Sequence, residues 1–287
     1  MPRLERAAEC ELKIRASDRN WPTALLVIYL TDRASFLTQH HRLRSKRGSW
    51  AVPKNRNRLL ASLKPDDFSL LGRYLREVAL KQGTLLEERG ERVDAVHFPQ
   101  TGMVSLIVEM PEDGSIEVGT VGREGGVGLT VGLGSRIASV SALVQVSGTS
   151  LCISASRFRT VATRNQHIHD MSIRYAELQI GQIQQTAACN ALHDVPSRLS
   201  RWLLQTSDKI EGNKIPFTRE FLGKMLGVQR GTVSVVAAKF ETEGLIHTHR
   251  GQIELLDKKG LEKQACSCYQ LIDRHIDRLV PKGSSRN

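Results

Sequence analysis

Four consecutive residues, Gln229-Arg230-Gly231-Thr232, carry the side-chain types that read a DNA duplex. The guanidinium fork of Arg230 fits the two acceptors on a guanine edge, Gln229 can do the same for adenine, and Thr232 can hold a phosphate. Helical spacing sets Gln229, Arg230, Gly231, Ser234 and Val235 together, opposite the apolar Val233, Val236, Ala237 and Phe240. Thr218 and Arg219, opening the helix before, and Arg250, at the tip of a following hairpin, complete a candidate DNA-binding set.

A second stretch with chemical potential is Val121-Gly122-Arg123-Glu124-Gly125-Gly126-Val127-Gly128. Clustered glycines let backbone amides approach an anion closely. Gly122, Glu124, Gly125, Gly126 and Gly128, with Arg136 a few residues on, therefore form a candidate effector pocket. The signal is weak alone, because barrels also use glycine at their corners.

The five cysteines, Cys10, Cys152, Cys189, Cys266 and Cys268, are odd in number and scattered. That is no disulfide framework and points to a reducing cytoplasm. Cys266-Ser267-Cys268 brings two thiols together, but a metal usually wants two more ligands, so no metal site is expected. His167 and His169 do not share a helix face, and His247 and His249 have no acid or thiol beside them in the chain. There is no nucleophile elbow, Walker loop, zincin helix or convincing acid pair; the chain is not expected to be an enzyme.

The elements that position these groups follow from periodicity. Thr218 caps a short helix ended by Gly227, and a second helix opens near Gln229 or Arg230 and ends at Gly244. Leu245 to His249 and Gln252 to Leu256 make a two-stranded wing around Arg250-Gly251. Upstream, Asn57 to Lys81 reads as a helical lead-in, and from Thr84 the pattern turns to period two. Strands are predicted at 95–99, 103–110, 115–121, 140–146 and 150–153, a barrel or jelly roll. Glu112-Asp113-Gly114 is a hairpin turn between two of them. Residues 165–193 form one long helix with two apolar stripes. Ile168, Met171, Tyr175 and Leu178 make the first; Ile173, Ile180, Ile183 and Ala187 make the second. One stripe suits the barrel and the other a symmetry mate, so Met171, Tyr175, Leu178 and Ile183 mark a candidate dimer helix. Asp194-Val195-Pro196-Ser197 breaks this helix as a hinge, and a closing helix is predicted over 261–279.

The chain of 287 residues has room for two cores, and its net charge of +11 is unevenly spread. Residues 1–57 carry +7, residues 58–194 carry −2 and residues 195–287 carry +6. A slightly acidic middle joined to a basic C-terminal part suits a sensor attached to a nucleic-acid reader. The apolar run Ala24 to Leu30 is too short to span a membrane, which takes about 20 residues.

With TREFLGKMLGVQRGTVSVV, then EGLI and a short wing, the chain resembles the Crp/Fnr family of bacterial transcription regulators. The resemblance reaches from about Asn57 to Tyr269. It implies an α+β fold: an N-terminal cyclic-nucleotide-binding-like β-roll or jelly roll, a long dimerisation helix and a C-terminal winged helix-turn-helix. The organisation expected is a basic, disordered extension over 1–56, a sensor over 57–164, the dimerisation helix over 165–194 and the DNA-binding domain over 195–287. It also implies a homodimer on a pseudo-palindromic double-stranded operator, with RNA polymerase as a downstream partner. On the family's pattern Arg230 falls on the main base-contacting arginine, while Gly231 and Val235 stand where better-known members have charges. The glycine-rich segment falls on the family's phosphate cassette, but Leu129 stands at its glutamate position and Ala138 or Ser139 near its arginine. Cyclic AMP or cyclic GMP binding is therefore not expected. Only Cys10 precedes Cys152, so neither is the N-terminal iron–sulfur cluster of some members. The alternative function is a ligand-binding signalling module acting through protein–protein contacts.

Overall fold

The computed structural model describes residues 55–110 and 114–281. The expected N-terminal extension, apart from residues 55 and 56, lies outside these, as does most of the Glu112-Asp113-Gly114 turn. The chain opens with two short helices, α1 (Arg58–Ala61) and α2 (Pro65–Gly72). Seven strands follow: β1 (Arg76–Leu80), β2 (Leu85–Glu87), β3 (Ala95–Pro99), β4 (Met103–Met110), β5 (Gly114–Val121), β6 (Ser141–Val146) and β7 (Gly148–Ser154). They form a three-stranded sheet ordered β1-β7-β3 and a four-stranded sheet ordered β2-β6-β4-β5. Val96, Phe98, Val104, Leu106, Val144 and Leu151 fill a shared apolar core, that of the barrel or jelly roll anticipated from the period-two pattern and of the β-roll implied by the resemblance.

One expectation fails at the start. The helical lead-in does not run to Lys81: Arg76–Leu80 is a strand paired antiparallel with β7, Val78 opposite Ser150. The segment is short, and only its distant partner makes it a strand.

After α3 (Ala155–Ala162) comes the long helix α4 (Gln166–Leu192), which starts where the Asn165 side chain accepts the Ile168 amide at 3.0 Å. Ile168, Met171, Tyr175 and Leu178 are buried in the barrel core. This corrects the dimer set. Met171, Tyr175 and Leu178 face the chain's own barrel, and only Ile183, half-buried, lies on the outer side. There, Ile173 and Ile180 are 46% and 55% exposed.

The Asp194 carboxylate caps α5 (Val195–Lys209) through the Ser197 amide at 3.0 Å, with Pro196 in the first turn. Beyond it lie β8 (Lys214–Ile215), α6 (Arg219–Leu226), α7 (Arg230–Thr242) and the wing strands β9 (Ile246–His249) and β10 (Gln252–Leu255). Strand β8 extends the wing to a three-stranded sheet ordered β8-β10-β9. A second core joins Trp202, Phe217, Leu222, Val236, Phe240 and Ile253.

The single closing helix expected over 261–279 is two helices, α8 (Lys258–Gln264) and α9 (Cys268–Leu279), separated at Ala265-Cys266-Ser267. The helix α9 leaves the winged unit: Ile272, Ile276 and Val280 are buried in the barrel core. Its far end is tied to α1, where the Arg58 guanidinium donates to Asp277 Oδ1 at 2.7 Å. No described helix is long and apolar enough to cross a membrane.

Candidate nucleic-acid interface

The reading surface is built from three pieces. The Thr218 hydroxyl accepts the Phe221 amide at 3.2 Å and starts α6; Gly227, with φ +62°, ends it and turns the chain into α7. Arg198 of α5 donates to the Leu226 carbonyl and holds this turn from behind. The buried Val233, Val236, Ala237 and Phe240 commit one side of α7 to the core. The other side is bare: Gln229, Arg230, Gly231 and Thr232 are exposed, and Val235 is 72% exposed. The Ser234 hydroxyl is satisfied within the helix by the Arg230 carbonyl at 3.0 Å.

The wing is fixed to α7 by a small polar network. The Thr248 amide donates to Glu241 Oε1 at 2.7 Å, and its hydroxyl donates to the same oxygen. The bond from Thr248, together with Arg219, holds the Glu241 carboxyl below its usual range against partial burial. Arg219 donates to Thr248 Oγ1 at 3.1 Å and stands 3.8 Å from Glu241. Arg219 is thus a strut between α6, α7 and the wing, and Thr218 is a cap. The tip residues Arg250 and Gly251 have φ values of +22° and +79°, a two-residue turn that leaves Arg250 exposed. Thr218, Arg219, Arg230 and Arg250 line one concavity of about 510 Å³ between the helix pair and the wing.

The glycine-rich loop is packed quite differently. Glu124 is buried and takes the Gly122 amide at 2.9 Å, and Lys209, at the end of α5, donates to it from the winged unit. Burial opposes the Glu124 charge, but the Lys209 ammonium outweighs it and holds the carboxyl below its usual range. A Cβ on Gly125 would fall 2.3 Å from the Tyr175 ring, and one on Gly126 would fall 2.9 Å from Leu129 Cδ1. At Gly128, with φ +84°, an added Cβ would fall 2.5 Å from the Ala95 carbonyl oxygen. Arg136 is exposed beyond the loop, its carbonyl accepting the Val93 amide at 2.9 Å. The five loop residues thus come together around the protein's own side chains, and Arg136 does not join them.

Two polar links between the units were not legible in the sequence. Glu117 of β5 accepts the Trp202 indole N–H of α5 at 2.8 Å and the Ser105 hydroxyl at 2.5 Å. Burial pushes the Glu117 carboxyl up to about 7. Glu124–Lys209 is the other link, its partners 85 residues apart. The structure also gathers Cys189, His193, Cys266 and Cys268, a group with metal-ligating atoms that the two C-terminal cysteines alone did not announce. The i,i+4 pair Cys189 and His193 was the available signal.

Residues 197–264 match the Crp-like helix-turn-helix domain. A transcriptional regulatory protein of Bordetella pertussis is 26% identical over 196 residues, spanning 65% of this chain and 79% of its own length. Among solved structures, a transcriptional regulator of the Crp/Fnr family from Eubacterium rectale superposes with a TM-score of 0.58 at 18% identity, covering 74% of this chain and 99% of that one. The c-di-GMP responsive regulator CLP of Xanthomonas campestris has a TM-score of 0.55, also at 18% identity, covering 68% and 100%. Residues 197–264 are thus a Crp-like helix-turn-helix domain, and with the helix pair, the wing and the β-roll joined in this order the chain shares the fold of Crp/Fnr-family regulators.

Proposed function

We propose that the chain acts as a cytoplasmic homodimer on a pseudo-palindromic operator, one α7 entering the major groove of each half-site. The observation that carries this reading is the shared concavity: Arg230 at the start of α7 and Arg250 at the wing tip line the same surface. A base reader and a backbone clamp belong together in that arrangement. Gln229 and Thr232 assist Arg230, while Gly231 and Val235 leave the groove floor free of charge. Thr218 and Arg219 act by holding the helix pair and wing in register.

Dimerisation is supported by the outer side of α4. Ile173, Ala176, Ile180, Ile183, Ala187 and Asn190 alternate at three and four residues, the spacing of a two-stranded coiled-coil seam. Two such chains would set their recognition helices about one helical turn apart, roughly 34 Å. The sensor signals through Glu117–Trp202 and Glu124–Lys209, which join it directly to α5. A cyclic nucleotide in the glycine-rich loop is not favoured, since Tyr175 and Lys209 fill that space. RNA polymerase would be the partner at the promoter.

Replacing Arg230 with alanine is expected to weaken binding to the cognate operator by about 1–3 kcal/mol while sparing nonspecific DNA. Operators selected from genomic fragments and titrated by gel shift give the measurement. Equal loss on both kinds of DNA would remove Arg230 from base reading, and no DNA binding at all would favour a module acting through protein contacts.

A further inference from the structure

We infer that Cys189, His193, Cys266 and Cys268 form a mononuclear Cys3His site for a thiolate-preferring divalent ion of the zinc class. Three thiol sulfurs and one imidazole nitrogen all lie within 4.8 Å of one another. A tetrahedral ion with bonds of about 2.3 Å to sulfur and 2.0–2.1 Å to nitrogen holds its ligand atoms roughly 3.5–3.8 Å apart. Here Cys189 Sγ stands 3.5 Å from Cys266 Sγ, and Cys268 Sγ stands 3.5 Å from His193 Nδ1. The sulfur pair is much too far apart for a disulfide, whose bond is about 2.05 Å. The spacing therefore suits an ion at the centre better than a bond between neighbours.

The fold explains why the four converge. Cys189 and His193 lie one turn apart at the end of α4, on one side of the helix. Cys266 and Cys268 flank the break between α8 and α9, at the point where the chain turns back toward α4. That break contains neither proline nor glycine, and a pair of ligands gives it a reason to be there. Cys189 and Cys268 are 0% and 1% exposed and Cys266 is 9% exposed, so the ion would be shielded from water. Three thiolates and one neutral imidazole around a divalent ion leave one net negative charge. The guanidinium groups of Arg198 and Arg201 act on Cys189 electrostatically, and Arg201 Nε is buried without a hydrogen-bond partner. Gln185 Nε2 donates to Cys268 Sγ at 3.1 Å, the kind of outer contact that orients a ligand. A bound ion would clamp the end of α4 to the α8–α9 junction, joining residues 77 positions apart.

The test uses the full chain, purified in reductant, stripped with chelator and reloaded with zinc. One tightly held zinc per chain is expected by elemental analysis. Cobalt(II) in its place should give the strong visible bands of a tetrahedral ion and thiolate charge transfer in the near ultraviolet. The Cys266→Ser/Cys268→Ser double variant should lose the metal, His193→Ala should weaken it by at least about tenfold, and Cys152→Ser should change neither. Zinc, but not magnesium, should raise the melting temperature of the wild type and of Cys152→Ser, and leave that of the double variant unchanged. The wild-type cobalt spectrum decides the matter if the double variant does not fold. Substoichiometric zinc, an octahedral cobalt spectrum, equal zinc in the double variant, or a Cys189–Cys266 disulfide in place of the ion would each overturn the assignment.

Discussion

Glycine does opposite work in the two regions with most to say about function. At Gly231 an added Cβ would meet nothing within 4 Å, whereas at Gly125 it would land inside the Tyr175 ring contact at 2.3 Å. On α7 the missing side chain leaves room for something outside the protein. In the loop after β5, it admits the protein's own tyrosine and lysine. Clustered glycines therefore speak of a ligand only when the space opposite them is unclaimed, and here Glu124 already has its cation in Lys209.

The largest effect should come from removing that cation. Both side chains are 7% exposed, so Lys209→Met leaves Glu124 buried and unpaired, at a cost of about 3–5 kcal/mol in chemical denaturation. Lys209→Met combined with Glu124→Leu should recover most of it; failure to recover would mean the loop needs the charge for another purpose. Gly125→Ala should destabilise by about 1–3 kcal/mol through crowding against Tyr175. A neutral result there would reopen the loop as a cavity able to accept a ligand.

A pH comparison sharpens the contact between the units. The folded chain holds the Glu117 proton up to about pH 7, while the unfolded chain releases it near 4.5. Stability from this group is thus full at low pH, falls as pH rises above about 4.5 and levels off above about 7. Between pH 6 and 8 the wild type should lose about 1 kcal/mol relative to Glu117→Gln, read from denaturant midpoints. Burial raises Glu87 to about 7 as well, and the comparison of variants removes that shared slope. The smallest effect belongs to Gly231→Ala, which should stabilise α7 by up to about 1 kcal/mol in thermal melts. Its operator affinity should fall if that open space is where DNA approaches.

How much was readable depended on sequence distance. The helix pair and wing were legible almost to the residue because Thr218, Gly227 and the Arg250-Gly251 turn act locally. The strands 95–99 and 103–110 were equally plain from their alternation. Strand β1 was not, since Arg76–Leu80 takes its identity from β7, some seventy residues away. The break before α9 carries no helix-breaking residue, and Lys209, Trp202 and the cysteine group owe their roles to partners remote in the chain. Met171, Tyr175 and Leu178 were seen as an apolar stripe, but a stripe does not say which surface it will meet.

The course of the last helix has a mechanical consequence. Because α9 runs back from the wing to the barrel and is tied to α1 by Arg58 and Asp277, the reading unit is joined to the rest of the chain at both of its ends, Asp194 behind it and Cys268 ahead of it, as well as through Glu117–Trp202 and Glu124–Lys209. Any movement of the reading unit against the barrel must therefore carry both of its chain connections with it.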